Sequence, residues 1–201
     1  MTRERLESIK QKHGEHASWA VWADPGARPK SNVGDMSIFD LDSNPGLLQV
    51  LNTNAVMVGL NLAADDRLLP EDFRNFHDPS PRANDFKIRY AFRGTEYYGA
   101  YMTDVIKDFG MLQSRDVVAH LKAHPEIVAA NIERFREELQ DLGAEPPIIL
   151  AFGVEVYRIL KEHLQPGEYS RLVKLTHYSH YISKEQFRAE VVSKIEREEG
   201  R

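Results

Sequence analysis

The chain has 201 residues, of which 42% are hydrophobic and 28% charged; this is a one-domain length with an ordinary globular balance, and it argues against disorder throughout. Cysteine is absent, which excludes disulfides, thiol catalysis and any cysteine-held zinc or iron–sulfur site. The 26 Lys and Arg against 31 Asp and Glu leave a net charge of −5, the opposite of the basic excess of a dedicated nucleic-acid binder, although local patches escape a net sum. The longest apolar runs, Ala55–Leu60 and Ile148–Val154, fall far short of the roughly 18 residues of a membrane helix. The charged start Met1–Leu6 has no apolar stretch behind it and does not read as a secretory signal. A cytoplasmic protein is expected, with no membrane partner.

The chain reads as a single domain over 1–201, with residues 1–45 leading into a core over 46–201. A helix is predicted over Arg3–His13, where Leu6 and Ile9 are spaced by three. Ser18–Trp22 is a short β-prone run. The segment Asp24–Pro45, carrying Pro25, Gly26, Pro29 and Gly34, reads as a long ordered loop, uncommon enough to hint at function. From there helices and strands alternate. Pro45–Leu51 is predicted helical and Ala55–Leu60 a buried strand. A loop with Phe73, Phe76 and His77 follows. Ser80-Pro81 resembles an N-cap with proline at the first helical position, opening a helix to about Phe92. Tyr97–Thr103 is a second strand. Ser114 opens a short helix, and Pro125 a longer one that stops before Gly143. Ile148–Phe152 is a third strand, Val154–His163 a helix and Leu172–Thr176 a fourth strand. Ser183-Lys-Glu-Gln186 matches a capping box and begins the last helix.

Alternating strands and helices imply βαβ units, a parallel sheet and right-handed crossovers. The expected fold is therefore α/β, a three-layer α/β/α sandwich around four mainly parallel strands, with Trp19–Trp22 as a candidate edge strand. Ligands of such sheets bind beyond the carboxyl ends of the strands. The residues there are Gly59, Leu60 and Asn61 after the first strand, and Thr103, Asp104 and Lys107 after the second. Gly153 follows the third, and His177, Tyr178, Ser179 and His180 follow the fourth.

The order of these pieces, over roughly Ala55–Ile182, resembles the uracil-DNA glycosylase superfamily, especially its mismatch-specific and single-strand-selective branches. Gly59-Leu60-Asn61-Leu62 is similar to that family's Gly-Xaa-Asn-Pro motif, and Phe73–His77 to its aromatic loop. Met102–Lys107 is similar to its Thr/Asn-containing turn, Ala151-Phe-Gly153 to its small-Gly pair, and His177-Tyr178-Ser179 to its His-Pro-Ser motif. Leu62 and Tyr178 stand where the family has prolines that would fix φ.

The resemblance implies the uracil-DNA glycosylase-like fold and hydrolysis of a base–sugar bond without a cofactor. Asn61 would hold the attacking water, and His177 would donate to a carbonyl oxygen of the leaving base. Phe76 would stack on the base, with Gly59, Leu60 and His77 beside it. Thr103 or Asp104 would read the base edge, at a position where related enzymes often carry Asn. Ser179 would orient a phosphate or its own turn. Tyr178, His180 and Tyr181 would touch the substrate, a tyrosine wedging into the stack. Lys107, Lys174 and Arg82 would supply phosphate contacts. His177-x-x-His180 with His77-Asp78 has zinc-capable side chains, but such spacing is common by chance and no metal is expected. His120 and His124 should be separated into two helices by Pro125, and there is no Walker or dinucleotide fingerprint. The readings are a DNA glycosylase for uracil or a related damaged base, a non-catalytic module binding a nucleobase, nucleotide or nucleic acid on the same fold, and an enzyme for a small nucleotide-like substrate. The second is motivated by the missing prolines, the acidic balance and the long loop.

Overall fold

The structure is a computed structural model that describes residues 1–61, 71–107, 114–143 and 145–199. Helix α1 (Arg3–His13) starts where Thr2 accepts the Arg5 amide with its hydroxyl, and basic residues close its last turn. Its Leu6 and Ile9 are buried as their spacing predicts. Strand β1 (Ala17–Trp19) is followed by the long loop, whose one regular turn is a 3-10 helix (Met36–Phe39) capped by Asp35. Then come α2 (Leu47–Val50), β2 (Asn52–Asn61), α3 (Asp85–Phe92) and β3 (Ala100–Ile106). The second half alternates α4 (Ser114–Ala123), α5 (Pro125–Leu142), β4 (Ile148–Phe152), α6 (Val154–His163), β5 (Arg171–Leu175) and α7 (Lys184–Glu199). Proline opens α5, and Gly143 in the left-handed region closes it, as composition predicts.

The sheet has five strands in the order β1-β3-β2-β4-β5, one more than the four expected in the core. β3, β2, β4 and β5 are mutually parallel, and β1 joins the edge antiparallel to β3, pairing Ala17 with Thr103 and Trp19 with Tyr101. Two cores lie on its two faces. Val56, Val58, Ile149 and Ala151 face α1, α4, α5 and α6 through Leu6, Val117, Phe135 and Ile159. Met57, Met102, Leu150 and Val173 face α3 and α7 through Ile88, Phe92, Phe187 and Val191. Each Val, Leu, Ile, Met or Phe side chain so buried contributes about 1.5–3 kcal/mol. No helix among the described residues is long and apolar enough to cross a membrane.

Two elements differ from expectation in ways that move functional residues. The predicted Ser80–Phe92 helix begins only at Asp85. Ser80 caps a single turn, its hydroxyl accepting the Ala83 amide, while its own amide is held by Asp78. The second core strand is displaced toward the C-terminus and covers Ala100–Ile106, not Tyr97–Thr103. The cause is Gly99, at φ +86, where a Cβ would collide with the Val50 carbonyl. Tyr97 and Tyr98 turn before it, and Thr103 and Asp104 become interior strand residues.

Candidate functional site at the strand ends

β3 lies on one side of β2 and β4 on the other, so the sheet's switch point opens beyond the carboxyl ends of β2 and β4. Along β2, Val56, Val58 and Leu60 belong to one face, and Ala55, Met57, Gly59 and Asn61 to the other. Asp104 stands opposite Gly59 in the register and follows Met102 onto the same face, while Thr103 points away. The α3/α7 side of the switch point thus gathers Gly59, Asn61 and Asp104. Phe76 joins them, its ring tip 3.2 Å from where a Cβ on Gly59 would lie.

The loop carrying Phe76 is built by the N-terminal segment. Phe73 and Phe76 both sit at φ +63, a conformation that costs a bulky residue about 1–3 kcal/mol. Hydrogen bonds offset it. The Phe73 amide donates to the Gly14 carbonyl (2.8 Å), Ser18 Oγ to the Phe73 carbonyl (2.7 Å) and Trp22 Nε1 to the Phe76 carbonyl (3.3 Å). Asn75 Nδ2 bridges the His16 carbonyl (2.8 Å) and Asp104 Oδ2 (2.9 Å). One amide therefore joins the loop, the turn before the edge strand and Asp104 of β3.

The turn after β5 holds the other wall. His177 Nδ1 lies 3.1 Å from the Ser179 amide nitrogen and 2.7 Å from Ser179 Oγ. A backbone N–H can only donate, so Nδ1 is the acceptor and the neutral ring carries its proton on Nε2. Burial of the ring holds its protonation down to about 4. Tyr178 stacks on His177 (4.4 Å, 22°) and meets Phe152 and Phe76 edge-on at 5.4 and 6.3 Å. Lys87, buried in α3, holds the turn by donating from Nζ to the His180 carbonyl at 2.9 Å. Tyr181 at the turn's end is fully exposed.

The carboxyl groups of Asp78, Asp85 and Asp104 act on the Tyr178 hydroxyl. Burial pushes Asp104 up to about 7, against the hydrogen bond from Asn75 and the charge of Lys107. Asp85 is likewise pushed up to about 7 by burial, although it accepts the Asp78 amide at 2.8 Å. Burial, with the charges of Asp85, Asp104 and Asp78, raises the Tyr178 hydroxyl well above its usual range.

Several expected site residues are placed elsewhere. His77 is fully buried, Nε2 2.8 Å from the Val21 carbonyl and its ring stacked on Trp22, so it ties the loop to the edge segment and cannot meet a ligand. Thr103 is buried on the α5 face, its hydroxyl 3.3 Å from Glu138 Oε1, and does not line the crevice. Leu60 packs its side chain into the same opposite core. Lys107 is not a surface cation: Nζ pairs with Glu138 Oε1 at 3.1 Å, both side chains almost fully buried, and donates to the Asp104 carbonyl. Lys174 is exposed on the α6 side, its ammonium 5.6 Å above the Tyr157 ring. His180 and Ser179 are exposed at the turn, as is Arg82 on its own loop. Leu62 lies outside the described residues.

Asn75, Asp85, Lys87 and Glu138 were not singled out from the sequence. For Glu138 a signal existed. With Asn131 it falls on the buried stripe of α5 set by Val128, Ile132, Phe135 and Leu142, where a polar residue needs an internal partner. No group of three potential metal ligands exists among the described residues. His120 and His124 stand on α4 and at the cap of α5, as Pro125 dictates. Two clefts, of about 360 and 430 Å3, lie beside α1, one against the 3-10 helix and the other against the end of α5. Neither touches the strand ends, which meet the stronger chemical criterion of convergent polar groups. No protein-family model, no curated protein and no solved structure matches the chain.

Proposed function

We propose that the crevice at the ends of β2, β3 and β5 is a nucleobase site on a uracil-DNA glycosylase-like fold. The chain then acts as a DNA glycosylase-like hydrolase on uracil or a related damaged base. The observation that carries this reading is His177, neutral, with Nδ1 occupied by the Ser179 amide and Nε2–H left as donor. A charged imidazolium would surrender its proton to the departing base. A neutral N–H can instead stabilise negative charge growing on a carbonyl oxygen. In the reaction water held by Asn61 adds its oxygen to the sugar carbon as the carbon–nitrogen bond breaks. The bonding pair leaves with the base, and the water's proton finally resides there. Asn61 needs only to orient that water, because the cation-like sugar demands little activation of the nucleophile.

Phe76, only 5% exposed and packed against Gly59 and Tyr178, backs the site from the core and offers no free face for stacking, and Asp104 supplies a group for the base edge. Tyr178, in place of a proline, restrains His177 by stacking on its ring. Tyr181, fully exposed, serves as the wedge into a base stack. Lys174 and Arg82, both exposed, remain available to phosphates. The strained Phe73 and Phe76 backbones add support, since such strain clusters at functional sites. No cofactor enters this chemistry. The action of Asp78, Asp85 and Asp104 on Tyr178 favours a second reading: a module that retains a base or nucleotide without cleaving it.

Labelled single- and double-stranded oligonucleotides carrying uracil, hypoxanthine or xanthine, cleaved by alkali after incubation, test the proposal. Abasic sites are expected with the wild type, falling about 10²–10³-fold in His177→Ala and lost in Asn61→Ala, with circular dichroism unchanged. Undiminished cleavage by both variants would overturn the residue roles. A nucleobase-induced thermal shift without cleavage would instead establish the binding module.

A further inference from the structure

Three buried polar atoms on the α5 side of the sheet have no hydrogen-bond partner among the described residues: Trp19 Nε1, the Tyr101 hydroxyl and Glu138 Oε2. Their residues are 0, 0 and 1% exposed, and buried side-chain polar groups in folded proteins are as a rule hydrogen-bonded, to protein or to ordered water. The three also belong together. Trp19 of β1 and Tyr101 of β3 pair across the strands, their rings edge-on at 5.2 Å. Thr103, two residues on from Tyr101 and so on the same face, meets Glu138 Oε1 at 3.3 Å. Burial, and then the charges of Glu138 and Asp141, push the Tyr101 hydroxyl well above its usual range, so it stays a neutral O–H.

The neighbouring groups are turned elsewhere. Glu138 Oε1 takes both the Thr103 hydroxyl and the Lys107 ammonium, the latter at 3.1 Å. Asp141, the other carboxyl acting on Tyr101, meets Lys12 at 2.7 Å and His13 at 2.8 Å. The chemistry of the three remaining atoms then defines what fits between them. An indole N–H only donates, so the occupant must accept. A carboxylate oxygen paired with a lysine only accepts, so the occupant must also donate. A metal or ammonium ion fails the first requirement, and Lys107 already meets the charge of Glu138. The Tyr101 hydroxyl serves either role. A small neutral molecule that donates and accepts meets all three.

We propose that a structural water is bound between Trp19, Tyr101 and Glu138, accepting from Trp19 Nε1, donating to Glu138 Oε2 and taking the Tyr101 hydroxyl as its third partner. About three hydrogen bonds is the ordinary complement of a buried water. The site ties the antiparallel edge strand and β3 to α5. It stands apart from the crevice at the strand ends and does not rest on the nucleobase reading.

The test is a high-resolution crystal structure of the full chain beside that of Tyr101→Phe. The wild type should show one density peak at about 2.7–3.2 Å from Trp19 Nε1, the Tyr101 hydroxyl and Glu138 Oε2. Tyr101→Phe, which removes one of the three bonds, should lose the peak or show it at clearly lower occupancy. A Tyr101 hydroxyl bonded straight to Glu138 in the wild type, or no peak between the three atoms, overturns the proposal. So does a peak with metal-like contacts of about 2.0–2.2 Å. An equally strong peak in Tyr101→Phe takes the tyrosine out of the site and overturns the three-way assignment. The wild-type density decides the matter if the variant does not fold.

Discussion

Asp85 and Asp104 are buried where charge is expensive. Each is raised from about the ordinary carboxyl value to about 7, so between those limits the folded chain holds protons that the unfolded chain has released. Stability must then fall as pH climbs through that window. His177 acts in the opposite sense at lower pH: being neutral when folded, it favours stability as pH rises from about 4 to its ordinary value. Asp85→Asn keeps an oxygen for the Asp78 amide and removes one ionisation. Its melting temperature should exceed the wild type's by a margin that grows between pH 5 and pH 8. A constant margin in thermal scans at several pH values would contradict the burial of an ionising Asp85. The strand ends at Asn61 and before His177 are readable from apolar runs, whereas Asp104, expected after a strand, lies inside β3. His77 was misassigned because only the packed structure puts Val21 and Trp22 against its ring.

At the level of elements, α5 shows how a polar residue on an apolar stripe becomes an internal fixture. Glu138 Oε1 meets both Lys107 Nζ and Thr103 Oγ1, and Asn131 accepts the Lys107 amide at 2.9 Å. The helix thereby clamps the end of β3, the strand that delivers Asp104. Breaking a buried pair by removing one partner leaves an uncompensated charge, at a cost of about 3–5 kcal/mol. Glu138→Ala should lower the urea midpoint accordingly, and Lys107→Met combined with Glu138→Leu should recover most of the loss. If Glu138→Ala unfolds at the wild-type midpoint, the pair contributes nothing. The sequence displayed the α5 stripe and its caps. It did not display the displacement of β3, because that depends on Gly99 meeting the Val50 carbonyl, a contact between segments far apart in the chain.

Across the whole molecule, the N-terminal residues and the long loop brace α3 and the loop that carries Phe73 and Phe76. Arg89 of α3, 4% exposed, donates to the carbonyls of Ala23, Pro29 and Ser31 at 3.0, 2.7 and 2.9 Å. Lys30 returns the connection through the carbonyls of Pro81 and Ala83. Such charged hydrogen bonds contribute about 1.5–3 kcal/mol each. Arg89→Ala should therefore release the loop over residues 24–34. Limited proteolysis there is expected to quicken at least several-fold, with amide exchange in β2, β3 and β4 unchanged. Equal cleavage rates for the two proteins would show that other contacts hold the loop.

Periodicity, caps and breakers are local properties, so the sequence alone determined the alternation of strands and helices, the ends of α1 and α5, and hence an α/β sheet. Burial and partnership are not local. Strand order, the antiparallel fifth strand, the inward turn of Lys107 and Thr103, and the bridge from His16 through Asn75 to Asp104 were decided only by tertiary structure. A polar side chain takes its role from whichever segments desolvate it and whichever partners they bring within hydrogen-bond reach.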